Sequence, residues 1–112
     1  NGRRWTGKYF IPSKATVKWR KETEWCWKEN KEKFLKARKD KNFPLRIGLH
    51  FVRGSRHRYD WCNPVQTIQD EMVTHGWIED DNVEIIVPVP FKRNGKYSSY
   101  DKGRAGVYIK LY

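Results

Sequence analysis

Residues 45–91 place a helical pattern between two apolar segments, and this order restricts the possible folds more than any other feature. The first segment, PLRIGLHFVRG, alternates Leu45, Ile47, Leu49 and Phe51 on one face, which predicts a β-strand. The second segment, VEIIVPVPF, follows the turn sequence IEDDN and predicts another strand. A helix between two strands must bury one side, so the region indicates a mixture of α and β structure.

The segment between these strands carries start and stop signals for a helix. Asn63 is expected to cap the helix, Pro64 to occupy its first position, and Gln66 lies three residues after the cap. Gly76 lies where a glycine ends a helix. Asp70, like Gln66, is expected on a different face from the buried stripe. That stripe consists of Val65, Ile68, Met72 and Val73.

A longer helix is predicted upstream, from a cap at Ser13 to about Lys39, before Asn42 and Pro44 end it. Residues 1–12 are expected to form a loop or hairpin. The six tryptophans of the chain are expected mainly in the core rather than on a base-stacking surface.

After a loop, the C-terminal VYIKLY alternates as a last strand with Val107, Ile109 and Leu111 inward. The order of elements predicts an α+β fold in which a small mixed β-sheet packs with a long N-terminal helix and a second, shorter helix. The 112 residues suit one domain, 1–112, and a start at Asn1 rather than Met leaves room for a leading segment.

The composition narrows the cellular setting. Cys26 and Cys62 do not make a disulfide framework, and free thiols fit a reducing compartment. The chain shows no signal peptide and no apolar run as long as a membrane span. We therefore expect a cytoplasmic protein with no membrane partner and no small-molecule substrate.

Charge is distributed unevenly along the chain. The formal net charge is +11, yet residues 59–91 contain seven carboxylates and no Lys or Arg, while residues 1–58 contain 18 basic and 5 acidic side chains. Basic flanks of this kind are typical of proteins that bind polyanions, nucleic acids above all. The plainer alternative is a solvated basic surface that maintains solubility.

Carboxylates that lie close together repel one another unless a cation lies between them. Mg²⁺ is typically coordinated by one or two carboxylates together with water and substrate phosphate. Asp60 follows the first predicted strand and Asp81 precedes the next, so the two would meet at one sheet end if those strands are neighbours. Asp70 either reaches them or binds nearby backbone. Basic arms around a metal pocket are typical of nucleases.

Simpler interpretations exist for the same residues. IEDDN forms a turn in many proteins, because Asp and Asn tolerate turn geometry. Asp60 can be an ordinary loop residue, and Glu71 and Glu79 are expected to be solvated. The three histidines lack the spacing of a zinc motif, and no nucleophile-elbow sequence is present.

The stretches RHRYDWCN and QTIQDEMVTHGWIEDDN resemble the RusA family of phage- and prophage-type Holliday junction resolvases. The likeness is specific over about residues 54–87 and extends in element order to the whole chain. The matching positions are Asp60 for the first Asp of an Asp-x-Asp-Asn motif, Asn63 for its Asn, Asp70 for a helix Asp, Gly76 for a glycine, and Asp80 and Asp81 for an Asp pair.

The resemblance implies an α+β homodimer, encoded by a bacterium, phage or prophage, that cuts four-way DNA junctions with Mg²⁺ or Mn²⁺ in recombination or repair. It implies Asp60 and Asp81 as catalytic metal ligands, with assistance from Asp70 or Asp80. The residues expected to contact DNA phosphates are Arg53, Arg56, His57, Arg58, Lys14 and Lys18.

Two positions depart from the family pattern. Cys62 replaces the second motif Asp, and a thiol is a soft ligand poorly suited to Mg²⁺. Gln66 replaces a lysine and brings no positive charge to a phosphate. The pattern fits either a divergent resolvase or a module of the same fold that binds branched DNA without cutting it. A third interpretation is a basic protein whose partner is RNA or an acidic protein.

Overall fold

The computed structural model describes residues 8–12, 19–54 and 61–112, and it confirms the α+β class with a mixed sheet of five strands. In chain order the elements are β1 (Lys8–Pro12), α1 (Trp19–Glu22), α2 (Glu24–Arg38), β2 (Leu45–Arg53), α3 (Cys62–Thr74), β3 (Ile86–Pro90), β4 (Ser98–Tyr100) and β5 (Gly106–Leu111). None of the helices within those ranges is long and apolar enough to cross a bilayer.

The sheet has the order β1-β5-β2-β3, and β4 pairs with β2 beyond the end of β3. β5 is antiparallel to both β1 and β2, whereas β3 and β4 are parallel to β2. Two parallel strands need a crossover connection, and α3 lies in the one that joins β2 to β3. The strand–helix–strand pattern of the sequence is therefore confirmed.

The two predicted strands are neighbours in the sheet, which is the condition that the sequence set for a shared acidic site. Leu45, at the start of β2, pairs with Ile86 at the start of β3. Asp81 precedes β3 and so lies toward the start of β2. Asp60 lies outside the described residues, so its approach to Asp81 stays a prediction.

Trp77 lies at the centre of the core, fully buried just after α3. Its ring packs edge-on against Trp27 and Tyr9 at centroid distances of 5.1 Å each, and stacks on Phe34 at 4.7 Å. Its indole N–H donates to the Trp27 carbonyl at 3.0 Å. The predicted core role of the tryptophans is confirmed for Trp27 and Trp77, but Trp25 is 59% exposed.

The single long N-terminal helix is not confirmed. α1 ends at Glu22 and α2 begins at Glu24, separated by Thr23, whose backbone ψ of 2° departs from helical geometry. The Thr23 carbonyl accepts hydrogen bonds from the backbone N–H groups of Cys26 and Trp27, which starts the second helix. The predicted cap at Ser13 lies outside the described residues.

The start of α3 also differs from expectation. The helix begins at Cys62, so Asn63 and Pro64 lie in its first turn rather than at the cap and first position. Pro64 is tolerated there because the first N–H groups of a helix lack intrahelical partners, and Val65 donates the first such bond to Trp61.

The end of α3 is confirmed. Gly76 has a φ of 78°, the left-handed conformation that favours glycine. Its N–H donates to the Val73 carbonyl, and the N–H of Trp77 donates to the Met72 carbonyl. This pair of bonds is a Schellman motif, which satisfies helix carbonyls that would otherwise lack donors.

β1 lies in the segment for which a loop or hairpin was expected, and it pairs with β5. Its Tyr9 and Ile11 alternate into the core. β4 was not predicted. β4 contains only three residues, Ser98–Tyr100, and lacks the apolar alternation by which strands are recognised. It is a strand because it pairs with β2, with Val52 opposite Ser99 in the register.

The alternation of β2 predicts one buried face and one exposed face, but residues on both of its faces are buried. His50 is fully buried, with Nδ1 3.1 Å from the Phe91 carbonyl and Nε2 2.6 Å from the Ser99 hydroxyl. A neutral ring satisfies both contacts when Nδ1–H donates to the carbonyl and Nε2 accepts from the hydroxyl. Burial lowers the pKa of His50, which favours this neutral form.

Trp77→Ala removes the central ring of the core and leaves the space between α2 and the sheet unfilled. We expect the free energy of unfolding in urea to fall by about 3–5 kcal/mol. Trp25→Ala is the matched control, because an exposed side chain should change stability by no more than about 0.5 kcal/mol. Similar losses in both variants would contradict the described core.

His50 should make folding sensitive to mild acid. The unfolded chain takes up a proton near the ordinary histidine pKa of about 6.5, whereas the folded protein resists it. Stability from this residue is therefore complete above that pH and decreases as the pH falls below it, by up to about 1.4 kcal/mol per pH unit. Urea unfolding between pH 7.5 and 5 should show a smaller slope for His50→Gln, and equal slopes would contradict the assignment.

Candidate functional site

Gln66 joins the two acidic residues that the sequence placed on different elements. Its side-chain nitrogen Nε2 donates to Asp70 Oδ1 at 2.9 Å and to Asp81 Oδ2 at 3.0 Å. One amide therefore connects a carboxylate of α3 with a carboxylate of the turn before β3. The structure brings together Asp70 and Asp81, two of the three residues expected to be catalytic.

The helical spacing of α3 sets one side of this site. Cys62, Gln66 and Asp70 are each four residues apart and so share one face of the helix. The Cys62 thiol is exposed, one turn before Gln66. Cys62 therefore lies on the same row of the helix as Gln66 and Asp70.

The other side of the site is set by the segment that follows α3. Trp77 is buried, and Arg38 of α2 donates to its carbonyl at 2.8 Å. The same guanidinium donates to both carboxylate oxygens of Glu79 at 3.1 Å. These contacts hold the backbone just before Asp81, so the position of Asp81 depends on α2 as well as on α3.

Asp80 has a different role from its neighbour. Its carboxylate accepts the backbone N–H of Asp81 at 2.8 Å and the side-chain amide of Asn82 at 3.0 Å. These hydrogen bonds hold the pKa of Asp80 below its usual value. IEDDN therefore forms a turn organised by Asp80, while Asp81 faces Gln66. Metal binding by Asp80 stays a prediction.

The buried state of Glu71 corrects the expectation that it is solvated. Its side chain is almost fully enclosed, and Oε1 lies 3.4 Å from His75 Nε2, one helical turn away. Glu79 is exposed but engaged by Arg38. An unpaired buried carboxylate is costly, and the contact with His75 gives Glu71 a partner on its own helix.

Most of the expected phosphate-contacting residues lie in ranges that the structure does not describe. They are Lys14, Lys18, Arg56, His57 and Arg58, together with the expected metal ligand Asp60. Arg53 is described: it is half-buried at the end of β2, where its carbonyl accepts the N–H of Asp101 at 2.9 Å.

Asp70 and Asp81 supply the carboxylates with which the described residues could hold a divalent cation. Within residues 8–12, 19–54 and 61–112, no three His, Cys, Asp or Glu side chains are grouped to hold a metal. Mg²⁺ requires only one or two carboxylates when water and phosphate complete its coordination, and Asp70 and Asp81 supply two. The Gln66 amide competes, because it occupies one oxygen of each.

The bridging role of Gln66 was not predicted from the sequence. The spacing of Gln66 and Asp70 was the available signal, since Gln–Asp pairs four residues apart form hydrogen bonds on helices. No local signal connects Gln66 with Asp81.

Comparison of the chain with protein-family models, curated proteins and solved structures gave no match.

Gln66→Glu places a third carboxylate beside Asp70 and Asp81 without changing side-chain length. Three such charges repel one another unless a cation joins them. We therefore expect Mg²⁺ to raise the melting temperature of this variant more than that of the unchanged protein. An additional 1 kcal/mol corresponds to roughly 4–8 °C in a domain of this size.

The matched control is Asp81→Asn in the Gln66→Glu background, which should lose most of the additional Mg²⁺ effect. Thermal unfolding followed by tryptophan fluorescence measures all three proteins. Equal Mg²⁺ shifts among them would show that residues 66 and 81 do not share a cation-binding position.

Proposed function

We propose that this chain is a RusA-like, metal-dependent endonuclease that recognises four-way DNA junctions, with a divergent active site. The observation that carries the proposal is the convergence of Asp70 and Asp81 on Gln66 in a strongly basic protein. Apart from the acidic segment, the chain has the charge needed to hold a polyanion. A pair of carboxylates beside bound phosphate is the arrangement that metal-dependent nucleases use.

The basic residues would position DNA through its phosphates. Phosphate contacts fix the orientation of a nucleic acid without reading its sequence, so recognition would depend on the shape of the junction. Arg53 at the end of β2 belongs to this set, as do the expected contacts in residues 55–58. Such binding should weaken steeply as salt concentration rises.

Asp70 and Asp81 would hold Mg²⁺ or Mn²⁺ together with Asp60. A bound cation would supply an activated water and stabilise charge on the leaving oxygen. The side chains of this protein would orient the cation and the phosphate. Gln66 would have to release at least one carboxylate oxygen, because its amide donates to both. Two symmetric cuts in one junction require two such sites, which a homodimer would provide.

A second candidate function is binding of branched DNA without cleavage. The specific observation in its favour is again Gln66, whose neutral amide satisfies both carboxylates without a cation. An exposed Cys62 in place of a carboxylate further reduces the affinity expected for a hard metal ion. The two candidates share a DNA surface and differ only in chemistry.

A synthetic four-way junction distinguishes them. With Mg²⁺ or Mn²⁺ we expect the unchanged protein to cut the junction symmetrically. Asp81→Asn should reduce the rate by at least about 100-fold, because loss of a group that only orients a metal ligand already costs up to that factor. The variant should retain junction binding in a gel-shift assay, since it removes no cationic side chain.

Cys62→Asp is the complementary variant, because it adds a carboxylate on the row of Gln66 and Asp70. We expect it to bind Mg²⁺ more tightly and to cut faster than the unchanged protein. Tight junction binding with no cleavage by either protein would favour the non-catalytic module. Equal affinity for linear duplex and junction would reject both candidates.

A further inference from the structure

The two faces of the sheet differ in chemistry. Buried residues of α2 and α3 belong to the same core cluster as Val107, Ile109 and Leu111 of β5, so these helices cover one face. Tyr108 and Lys110 alternate with them and belong to the opposite face. Phe10 of β1 pairs with Tyr108 across the strands and shares that face.

Two arginines cover the aromatic rings of this second face. The rings of Phe10 and Tyr108 lie 4.7 Å apart. The guanidinium carbon of Arg93 lies 3.7 Å from the Tyr108 ring centre, and that of Arg104 lies 4.1 Å from the Phe10 ring centre. Arg104 also donates to the Tyr108 hydroxyl at 2.9 Å. The cations are therefore held against the rings.

A second aromatic group continues along the sheet. Tyr112 is 39% exposed, with Lys110 at 4.6 Å and Arg46 at 5.4 Å from its ring centre. A Cβ atom added to Gly48 would lie 2.9 Å from this ring, so the ring packs closely over the backbone of β2. We call the combined surface the basic–aromatic face; it comprises Phe10, Arg46, Arg93, Arg104, Tyr108, Lys110 and Tyr112.

The charge of the basic–aromatic face determines the kind of partner. All four of its charged side chains are positive, and residues 92–112 contain six basic side chains and one acidic side chain. That acid, Asp101, accepts the backbone N–H of Gly103 at 3.0 Å. A second copy of this face would bring like charges together. A polyanion would instead be attracted.

The aromatic content selects among polyanions. Unpaired bases stack on aromatic rings and on the planar guanidinium groups of arginine. A duplex keeps its base faces stacked inside and offers mainly phosphates to a flat protein surface. Arginines held over half-buried rings, rather than extended into solvent, therefore match single strands better than duplexes.

A groove extends this surface around the edge strand β1. Its lining includes Phe10 and Arg104 of the basic–aromatic face, Lys102, and Trp25 of α2. Trp25 is 59% exposed, unlike the core residues Trp27 and Trp77. Glu29 also lines the groove, so a strand that follows it would be contacted by cations and an indole ring beside one carboxylate.

We propose that the basic–aromatic face binds single-stranded nucleic acid, with unpaired bases stacked on its arginine–aromatic pairs and phosphates held by its cations. The surface is separate from the Gln66 site and requires no metal. The inference therefore does not depend on cleavage and can be tested in EDTA.

Arg104→Lys tests stacking apart from charge, because lysine keeps the positive charge but lacks the planar group. The probe is a fluorescein-labelled oligothymidylate of about 16 nucleotides, the upper range for one small single-strand-binding domain. We expect fluorescence anisotropy to show binding by the full chain in EDTA. The Kd should rise about fivefold or more in Arg104→Lys, the smallest loss expected when one stacked base is released.

Lys36→Ala is the matched control, because Lys36 is an exposed residue of α2 that lies outside the basic–aromatic face. It removes a whole charge, yet should weaken oligothymidylate binding less than Arg104→Lys does. Tyr112→Leu provides a second test, because it removes an exposed ring while Lys110 and Arg46 keep their charges. Thermal unfolding should confirm that all variants are folded at the assay temperature.

Three binding results would overturn the inference: no oligothymidylate binding, unchanged affinity in both Arg104→Lys and Tyr112→Leu, or equal competition by a duplex of the same length. A fourth is loss of self-association in these variants, measured by sedimentation, because the face would then bind a second copy of the chain. An oligouridylate of the same length distinguishes DNA from RNA as the source of the strand. Tight single-strand binding without junction cleavage would support this surface while rejecting the proposed nuclease.

Discussion

Burial of Trp77 is the interaction on which the rest of the structure depends. The indole fills the space between α2 and the sheet and donates to the Trp27 carbonyl. Because Trp77 directly follows the Schellman end of α3, its burial fixes where the chain turns back. Arg38 then holds the Trp77 carbonyl, and Asp81 is placed beside Gln66. The packing of the core thus determines the geometry of the candidate site.

The strand order separates two surfaces with different chemistry. Helices α2 and α3 cover one face of the sheet, and the Gln66 site lies on the exposed side of α3. The opposite face carries arginines and lysines over aromatic rings. Under the two functions proposed above, the domain would hold a phosphate backbone near its carboxylates and bind single strands on the opposite face of the sheet.

The sequence predicted the elements that depend on interactions between residues close together in the chain, and it missed those that depend on distant residues. β2, β3, β5 and the end of α3 were predictable because apolar alternation and a glycine with positive φ act locally. The break at Thr23 was missed, since continuous helix formers surround it. β4 carries no apolar pattern and exists through its pairing with β2. β2 and β3 are neighbours, as a shared acidic site requires, but Asp60 lies outside the described residues and its approach to Asp81 stays a prediction.

The sequence by itself determined the α+β class, the strand–helix–strand unit and the separation of acidic from basic segments, because these follow from local periodicity and composition. Only the tertiary structure decided that Gln66 connects Asp70 with Asp81, since the crossover must fold before Gln66 can meet a residue 15 positions away. It also decided the basic–aromatic face. Phe10 and Tyr108 come from opposite ends of the chain and become neighbours only through the register of β1 with β5.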